Sequence, residues 1–307
     1  MPAPIYRFRR SLLAEALNAC ADRAVCERAR YYNKLRAPFL LPDTVSPFRL
    51  DLSRSRTSYQ YDLYTVLRYF SKTVRINALF GDICALPDSP TIAKARPLCE
   101  ENDHAILLHL NKARHFYFVN DPYAFINKKE MLVWRGHAHK ENRREFLARY
   151  FCHPLCDVGH YHTRNKAVEW SKPKMTVREQ LRYKYIMALE GNDVATNLKW
   201  ILSSNSLCFM TKPRFETWFM EGRLVAGQHY VLLRDDYADL EEKIDYFNRH
   251  PQEALEIIHA ANQWVEQFRN PARERLISVL VLWQYLYLSG QEASVPPGFP
   301  AAAAGTM

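Results

Sequence analysis

No run of about eighteen apolar residues occurs in this chain, so no segment reads as a membrane-spanning helix. There is no Gly-x-Gly-x-x-Gly and no P-loop Gly-Lys-Ser/Thr, so ordinary dinucleotide and NTPase sites lose weight. The seven cysteines form an odd set without a regular framework, which argues against a disulfide scaffold and for free thiols in a reducing compartment. The start, MPAPIYRFRRSLLAEALNACADRA, is basic, but Glu15 and Asn18 interrupt its apolar part, and it does not read as a secretory signal. Helix-turn-helix, zinc-finger and RNP signatures are missing too. These absences predict a soluble, cytoplasmic protein.

What is present is a chain of 307 residues, long enough for two domains of ordinary size. Hydrophobic residues make up 48% and charged residues 24%, the balance of a globular protein with a real core. The formal net charge of +9 admits an anionic partner: nucleic acid, a nucleotide-sugar, or an anionic membrane surface on which the protein could rest. Charge alone does not choose among them. The aromatic fraction, 13%, serves core packing or stacking platforms equally.

The stretch from Lys184 to Tyr230 is the most informative. An apolar run from Tyr185 to Leu189 stops at Glu190-Gly191-Asn192-Asp193, and a helical pattern follows from about Val194 to Ser203. A second apolar run, Ser206 to Met210, precedes a helical pattern around Glu216, and a third starts at His229. Strand, Gly turn, helix, strand is the grammar of a doubly wound α/β sheet, which takes its ligands at the carboxyl ends of its strands. A polar turn feeding a helix suits phosphate.

Upstream, MLVW is a strand ending at Arg135-Gly136, with a helix at about 142–151. CDVG and a helix around 176–182 come next. Residues 11–33 and 58–70 read as helices, and VRINALFGDI as a strand-like run ending at Gly81-Asp82. HAILLHL and HFYFV are further apolar runs, helix or strand. Three helices are expected at 239–249, 252–268 and 273–288, with Pro251 in the first turn of the middle one. The expected domains are 1–125 and 126–290, followed by a low-complexity, disordered tail at 291–307.

Several motifs, in order, resemble a known family. They are KARPL at 94–98, LNKARHFYF at 110–118, KKEMLVWRG at 128–136, YFCHPLCDVG at 150–159, EGNDVATNLKWILSSNSL at 190–207, and FETWF with HY between 215 and 230. Over about residues 60–285 the chain resembles the glycosyltransferases that include fungal capsule-associated proteins, animal protein O-glucosyltransferases and bacterial lipopolysaccharide-modifying enzymes. It is most similar to the bacterial branch. The resemblance implies a GT-B type α/β fold: two Rossmann-like domains facing across a cleft, with C-terminal helices crossing back. It also implies an N-terminal acceptor side, a C-terminal UDP-sugar site, and inverting transfer of a hexose or pentose to a glycan hydroxyl in lipopolysaccharide core biosynthesis.

Inverting transfer needs a base for the acceptor hydroxyl and positive charge for the departing diphosphate. The resemblance assigns the base to Asp82, where Gly81 allows close approach. A lone Gly-Asp is otherwise a turn or N-cap, and Asp88 and Asp121 compete for the role. No Asp-x-Asp pair occurs, which suits a site that needs no metal or other cofactor. Arg135, Gly136, Arg143, Gly191, Asn192 and Lys199 are the expected diphosphate-side residues, and Glu216 the ribose carboxylate. As a bare residue Arg143 reads more readily as a solvated helix position and Lys199 equally as a surface lysine, while Asp193 reads as a helix cap or a contact to a sugar hydroxyl. Arg114 and His115 are acceptor-side candidates; a core-edge histidine is the plainer reading of His115. The animal branch has Ser-Arg where His137-Ala138 stand, and an arginine at Asn197, which leaves donor identity open.

Cys152, Cys156, His153, His160 and His162 have ligand chemistry for zinc but no complete four-ligand spacing. The rival readings are a basic nucleic-acid-binding protein, which spread charge and missing signatures oppose, and a non-catalytic nucleotide-sugar-binding homologue, which Asp82 and Arg135 oppose.

Overall fold

A computed structural model describes residues 22–51, 57–161 and 169–292. Its strands are β1 (Ala78–Leu79), β2 (Thr91–Ala93), β3 (Ala95–Pro97), β4 (Ala105–Leu107), β5 (Lys129–Gly136), β6 (Cys156–His160), β7 (Tyr183–Met187), β8 (Leu207–Met210), β9 (Phe215–Thr217) and β10 (Val231–Leu232). The chain forms two compact units. Unit 1 takes the described residues of 1–113 with 215–219 and 270–307; unit 2 takes 114–214 and 220–269. The first division thus lies at residue 113, where the sequence suggested 125, and the last helix joins unit 1.

Unit 2 is built on a five-stranded, wholly parallel sheet in the order β10-β8-β7-β5-β6. Alternate residues Leu132 and Trp134, Tyr185 and Met187, Leu207 and Phe209 face one side. They bury against Phe146 and Leu147 of helix Glu141–Tyr150, Ile244 of helix Leu240–Arg249, and Ile257 and Ile258 of helix Pro251–Glu266. The intervening Val133, Ile186 and Cys208 are buried as well. Burial on both faces explains why these strands read as continuous apolar runs.

Unit 1 has a three-stranded parallel sheet, β1-β2-β4, and a two-stranded antiparallel ribbon, β3-β9. Helix Pro271–Leu288 is its central helix, nearly all buried from Ile277 onward. Asn270 caps it through Ala272 N and Arg273 N, and Pro271 sits in the first turn. Helix Arg23–Tyr32 is tied to it by Arg28, which makes a two-point ion pair with Glu274 at 2.6 and 2.9 Å. Helix Thr57–Leu67 completes the layer. No helix among the described residues is long and apolar enough to cross a membrane.

Three sequence expectations are corrected. The helix around Glu216 is strand β9, because Ala95, Arg96 and Pro97 pair with Thr217, Glu216 and Phe215. The helix expected from Val194 to Ser203 shrinks to Leu198–Leu202, where every residue is buried; Asn197 Nδ2 donates to Met187 O at its start. HFYFV forms no strand; Val119 N donates to Ser203 Oγ instead. The expected tail beyond Glu292, the first part of the 11–33 helix and His162 lie outside the described residues; Gln291, at the tail's start, bonds to the backbone of Arg75.

Candidate active site

The connection from β5 runs to β6 on one side, and the chain then returns to place β7 on the other side of β5. That reversal is the switch point of a doubly wound sheet, where a crevice opens beyond the carboxyl ends of the strands. Here it lies between Gly136, which ends β5, and the turn 189–193 that follows β7.

Arg143, in the first turn of helix Glu141–Tyr150, joins both sides. Its Nε donates to Glu190 O at 3.0 Å, Nη2 to Leu189 O at 2.8 Å and Nη1 to His137 O at 3.0 Å. The guanidinium also lies over the Trp134 ring, 5.6 Å from its centroid. Burial lowers the pKa of Arg143, but a guanidinium stays charged at neutral pH.

The two glycines of the site are fixed by this arrangement. A Cβ on Gly136 would meet Trp134 Cζ2 at 2.4 Å, and one on Gly191 would meet Arg143 Nη2 at 3.1 Å. Trp134, Gly136, Arg143 and Gly191 therefore interlock, although 57 positions separate the first from the last. Gly191 and Asn192 are half-buried, so the turn is accessible, and Gly191 N donates to Asp193 O. The cap reading of Asp193 is not borne out as such: it precedes the short helix by several residues and is buried.

Glu190 organises a second arginine. Its buried carboxylate accepts from Arg214 N at 3.0 Å and Arg214 Nε at 3.1 Å. The Arg214 side chain remains 65% exposed, beyond the carboxyl end of β8. Sequence reasoning missed Arg214; its position in KPRFET just after an apolar strand was the available signal.

Other expected donor residues turn inward. Arg135 lies on the face of β5 opposite Trp134. It donates to Asp157 Oδ1 at 2.7 Å, Asp157 O at 2.7 Å, Trp134 O at 3.1 Å and Pro173 O at 3.0 Å. Lys172 and Tyr183 also donate to the Asp157 carboxylate, at 3.0 and 2.6 Å. Burial alone would raise the Asp157 pKa, but the bonds from Tyr183, Arg135 and Lys172 outweigh it and hold the group at about 2. Lys199 is fully buried in an ion pair with Glu221 at 2.5 Å. Glu216 is 1% exposed, paired with Arg96 at 2.7 Å and bonded by the Tyr31 hydroxyl. Facing a cross-strand arginine, it presents no open carboxylate edge.

In unit 1, Asp82 follows β1. Gly81 before it has φ +116°, a conformation that favours glycine. The Asp82 side chain is 31% exposed, and Oδ1 accepts from Lys94 Nζ at 2.9 Å. Lys94, just past the end of the neighbouring β2, is buried to 2%. It went unweighed in the sequence although it opens the KARPL motif. The rival Asp121 is a structural residue of unit 2, held by Lys128 at 2.6 Å and accepting from Tyr123 N and Asn205 N. Arg114 is exposed while the adjacent His115 is buried; both fall at the start of unit 2.

Cys156 is a core residue of β6, its thiol pushed up to about 12 by burial. Among the described residues no group of three or more His, Cys, Asp or Glu side chains could hold a metal ion.

Comparison with known proteins agrees with the motifs. The model for "Glycosyl transferase family 90" matches residues 114–274. An O-glucosyltransferase LpsA of Dichelobacter nodosus is 50% identical over 266 residues, covering 86% of this chain and 83% of its own. Protein O-glucosyltransferase 3 of Homo sapiens is 25% identical over 181 residues, covering 57% of this chain and 35% of its own. The Rattus norvegicus protein of that name is 26% identical over 168 residues, covering 53% and 33%. With a match over more than half its length and a relative of this identity, the chain belongs to glycosyl transferase family 90 and is a glycosyltransferase.

Proposed function

We propose that this protein is an inverting, metal-independent transferase of the GT-B type. It moves a hexose or pentose from a UDP-sugar to a hydroxyl of a lipopolysaccharide core or similar glycan, at the cytoplasmic face of the membrane. Unit 2 takes the donor and unit 1 supplies the base. The observation that carries the reading is the switch point of the unit 2 sheet, where Arg143 ties the segment after β5 to the turn after β7. The half-identical O-glucosyltransferase supports a glucosyl donor first among the candidates.

In this reading the turn 191–193 and the exposed guanidinium of Arg214 receive the diphosphate. Arg135, Lys199 and Glu216, each ion-paired inside the fold, shape the surroundings and do not touch the donor. The lack of any Asp-x-Asp pair supports the assignment of charge stabilisation to arginines and backbone N–H groups. Asp82 accepts the acceptor's hydroxyl proton. The acceptor oxygen bonds to the anomeric carbon from the face opposite the diphosphate, and the bond to UDP breaks with its electron pair leaving on UDP.

The test is UDP release measured across a panel of UDP-sugars, without added divalent metal and with chelator. One UDP-sugar should support turnover in both conditions. Asp82→Asn should lower kcat by about a hundredfold or more while UDP affinity stays within about twofold. Wild-type turnover by Asp82→Asn would remove the base, and a strict metal requirement would remove metal independence.

A further inference from the structure

A lysine buried to 2% is uncommon, because removing an ammonium from water is unfavourable unless an anion accompanies it. Lys94 is such a residue, and its Nζ lies 2.9 Å from Oδ1 of Asp82. The two sit at corresponding places: Asp82 beyond the end of β1, Lys94 at the end of the adjacent parallel β2. Ala93, before Lys94, is paired with Leu79. The register of this sheet therefore delivers the ammonium to the carboxylate.

The burial is one-sided. Asp82 keeps 31% of its side chain in solvent while Lys94 has almost none. A pair made only for stability needs no such asymmetry, and the pair costs the fold the desolvation of an ammonium. What it produces is a partly exposed carboxylate whose Oδ1 is held from within the protein. Gly81, at φ +116°, sets the chain direction so that Asp82 emerges at the surface of the unit.

We propose that Lys94 is a positioning residue for the reaction. It holds Asp82 through Oδ1 in the orientation in which the carboxylate takes the acceptor's proton. This inference rests on the reading of Asp82 as the base and adds a second residue to it. Lys94 touches neither the acceptor nor the donor, so its removal acts on the chemical step and leaves donor binding alone. The dependence on charge separates positioning from packing. Lys94→Gln keeps an N–H donor near Asp82 and loses the cation; Lys94→Met keeps the chain's volume and loses both.

The experiment measures kcat and donor KM for wild type, Lys94→Gln, Lys94→Met and Asp82→Asn, each corrected to the folded fraction by size-exclusion and near-UV circular dichroism. The expected result is a fall in kcat of about tenfold or more for Lys94→Gln, a larger one for Lys94→Met, and donor KM within about twofold in both. If both variants match wild-type kcat per folded molecule while Asp82→Asn is inactive, the positioning role is overturned and the base stands. If kcat is unchanged and KM rises, Lys94 acts in binding and the proposal is overturned. Should Asp82→Asn itself turn over normally, the base reading fails and takes this one with it. The correction to folded fraction keeps the outcome decisive even where a variant folds poorly.

Discussion

Gly136 shows how one side chain fewer can define a site. The strand that carries it turns its last residue towards the Trp134 ring, and a methyl group there would overlap the ring at 2.4 Å. Relief requires the indole to move, and the indole is packed against Phe146 while Arg143 lies over it. Gly136→Ala is therefore expected to cost about 1–3 kcal/mol of stability, seen as a lower midpoint in urea. It should also remove most of the thermal stabilisation by UDP, because Arg143 loses the surface that holds it. A variant with normal UDP stabilisation would separate the glycine from the donor site. Asp157 makes a different prediction, about pH. Its folded pKa of about 2 lies below the usual carboxylate value near 4. The stability it supplies is present above the unfolded value near pH 4 and is lost as pH falls through the folded value of about 2. Solvent reaches 23% of the side chain, which reduces the contribution to the order of 1–2 kcal/mol. Asp157→Asn should thus be less stable than wild type at pH 7, with most of the gap closed by about pH 2. A gap that stays constant across that range would refute the assignment.

At the scale of elements, the same motif letters carried very different amounts of information. The central strands β5, β7 and β8 were legible because each carries an apolar run buried on both faces, and the three C-terminal helices because their periodicity and proline positions are local signals. Strand β9 was not legible. FETWF mixes apolar and polar residues at a spacing that fits either state, and what makes it a strand is pairing with residues 95–97, far away in sequence. The partner that buries its glutamate was hidden for the same reason: Arg96 sits directly across the ribbon. The interlock of Arg143 with Gly191 was half legible, since motif resemblance marked both residues but not that three backbone carbonyls bind the arginine. A test follows for the ribbon. Glu216→Gln should leave the Arg96 charge buried without a counter-ion, costing about 3–5 kcal/mol, and should lower the melting temperature by many degrees. The alternative, a ribose ligand, predicts a normal melting temperature and a raised donor KM.

At the scale of the whole molecule, the order of the chain and the order of folding units differ. Unit 2 draws every strand of its sheet from residues 129–232 and closes its core with the helices that end at Glu266. Unit 1 depends on the chain coming back twice. Trp218, fully buried, stacks on Tyr32 at 3.8 Å and donates through Nε1 to Glu274 at 2.5 Å. Glu274 also holds Arg28, and further along the same helix Val281 O accepts from Asn33 and Gln284 donates to Leu35 O. Removing that helix would take away the hydrophobic partner of helix Arg23–Tyr32 and leave Arg28 buried without its carboxylate. A chain ended at Arg269 should therefore lose protection against hydrogen exchange across 59–67 and 91–107, while amides of β5, β7 and β8 stay protected. On the proposed function, UDP should still slow exchange in 189–193 of that shortened chain, because the proposed diphosphate turn belongs to unit 2 alone, whereas glycosyl transfer should vanish with the folded surroundings of Asp82. Retained transfer by the shortened chain would mean that the proton acceptor is not in unit 1.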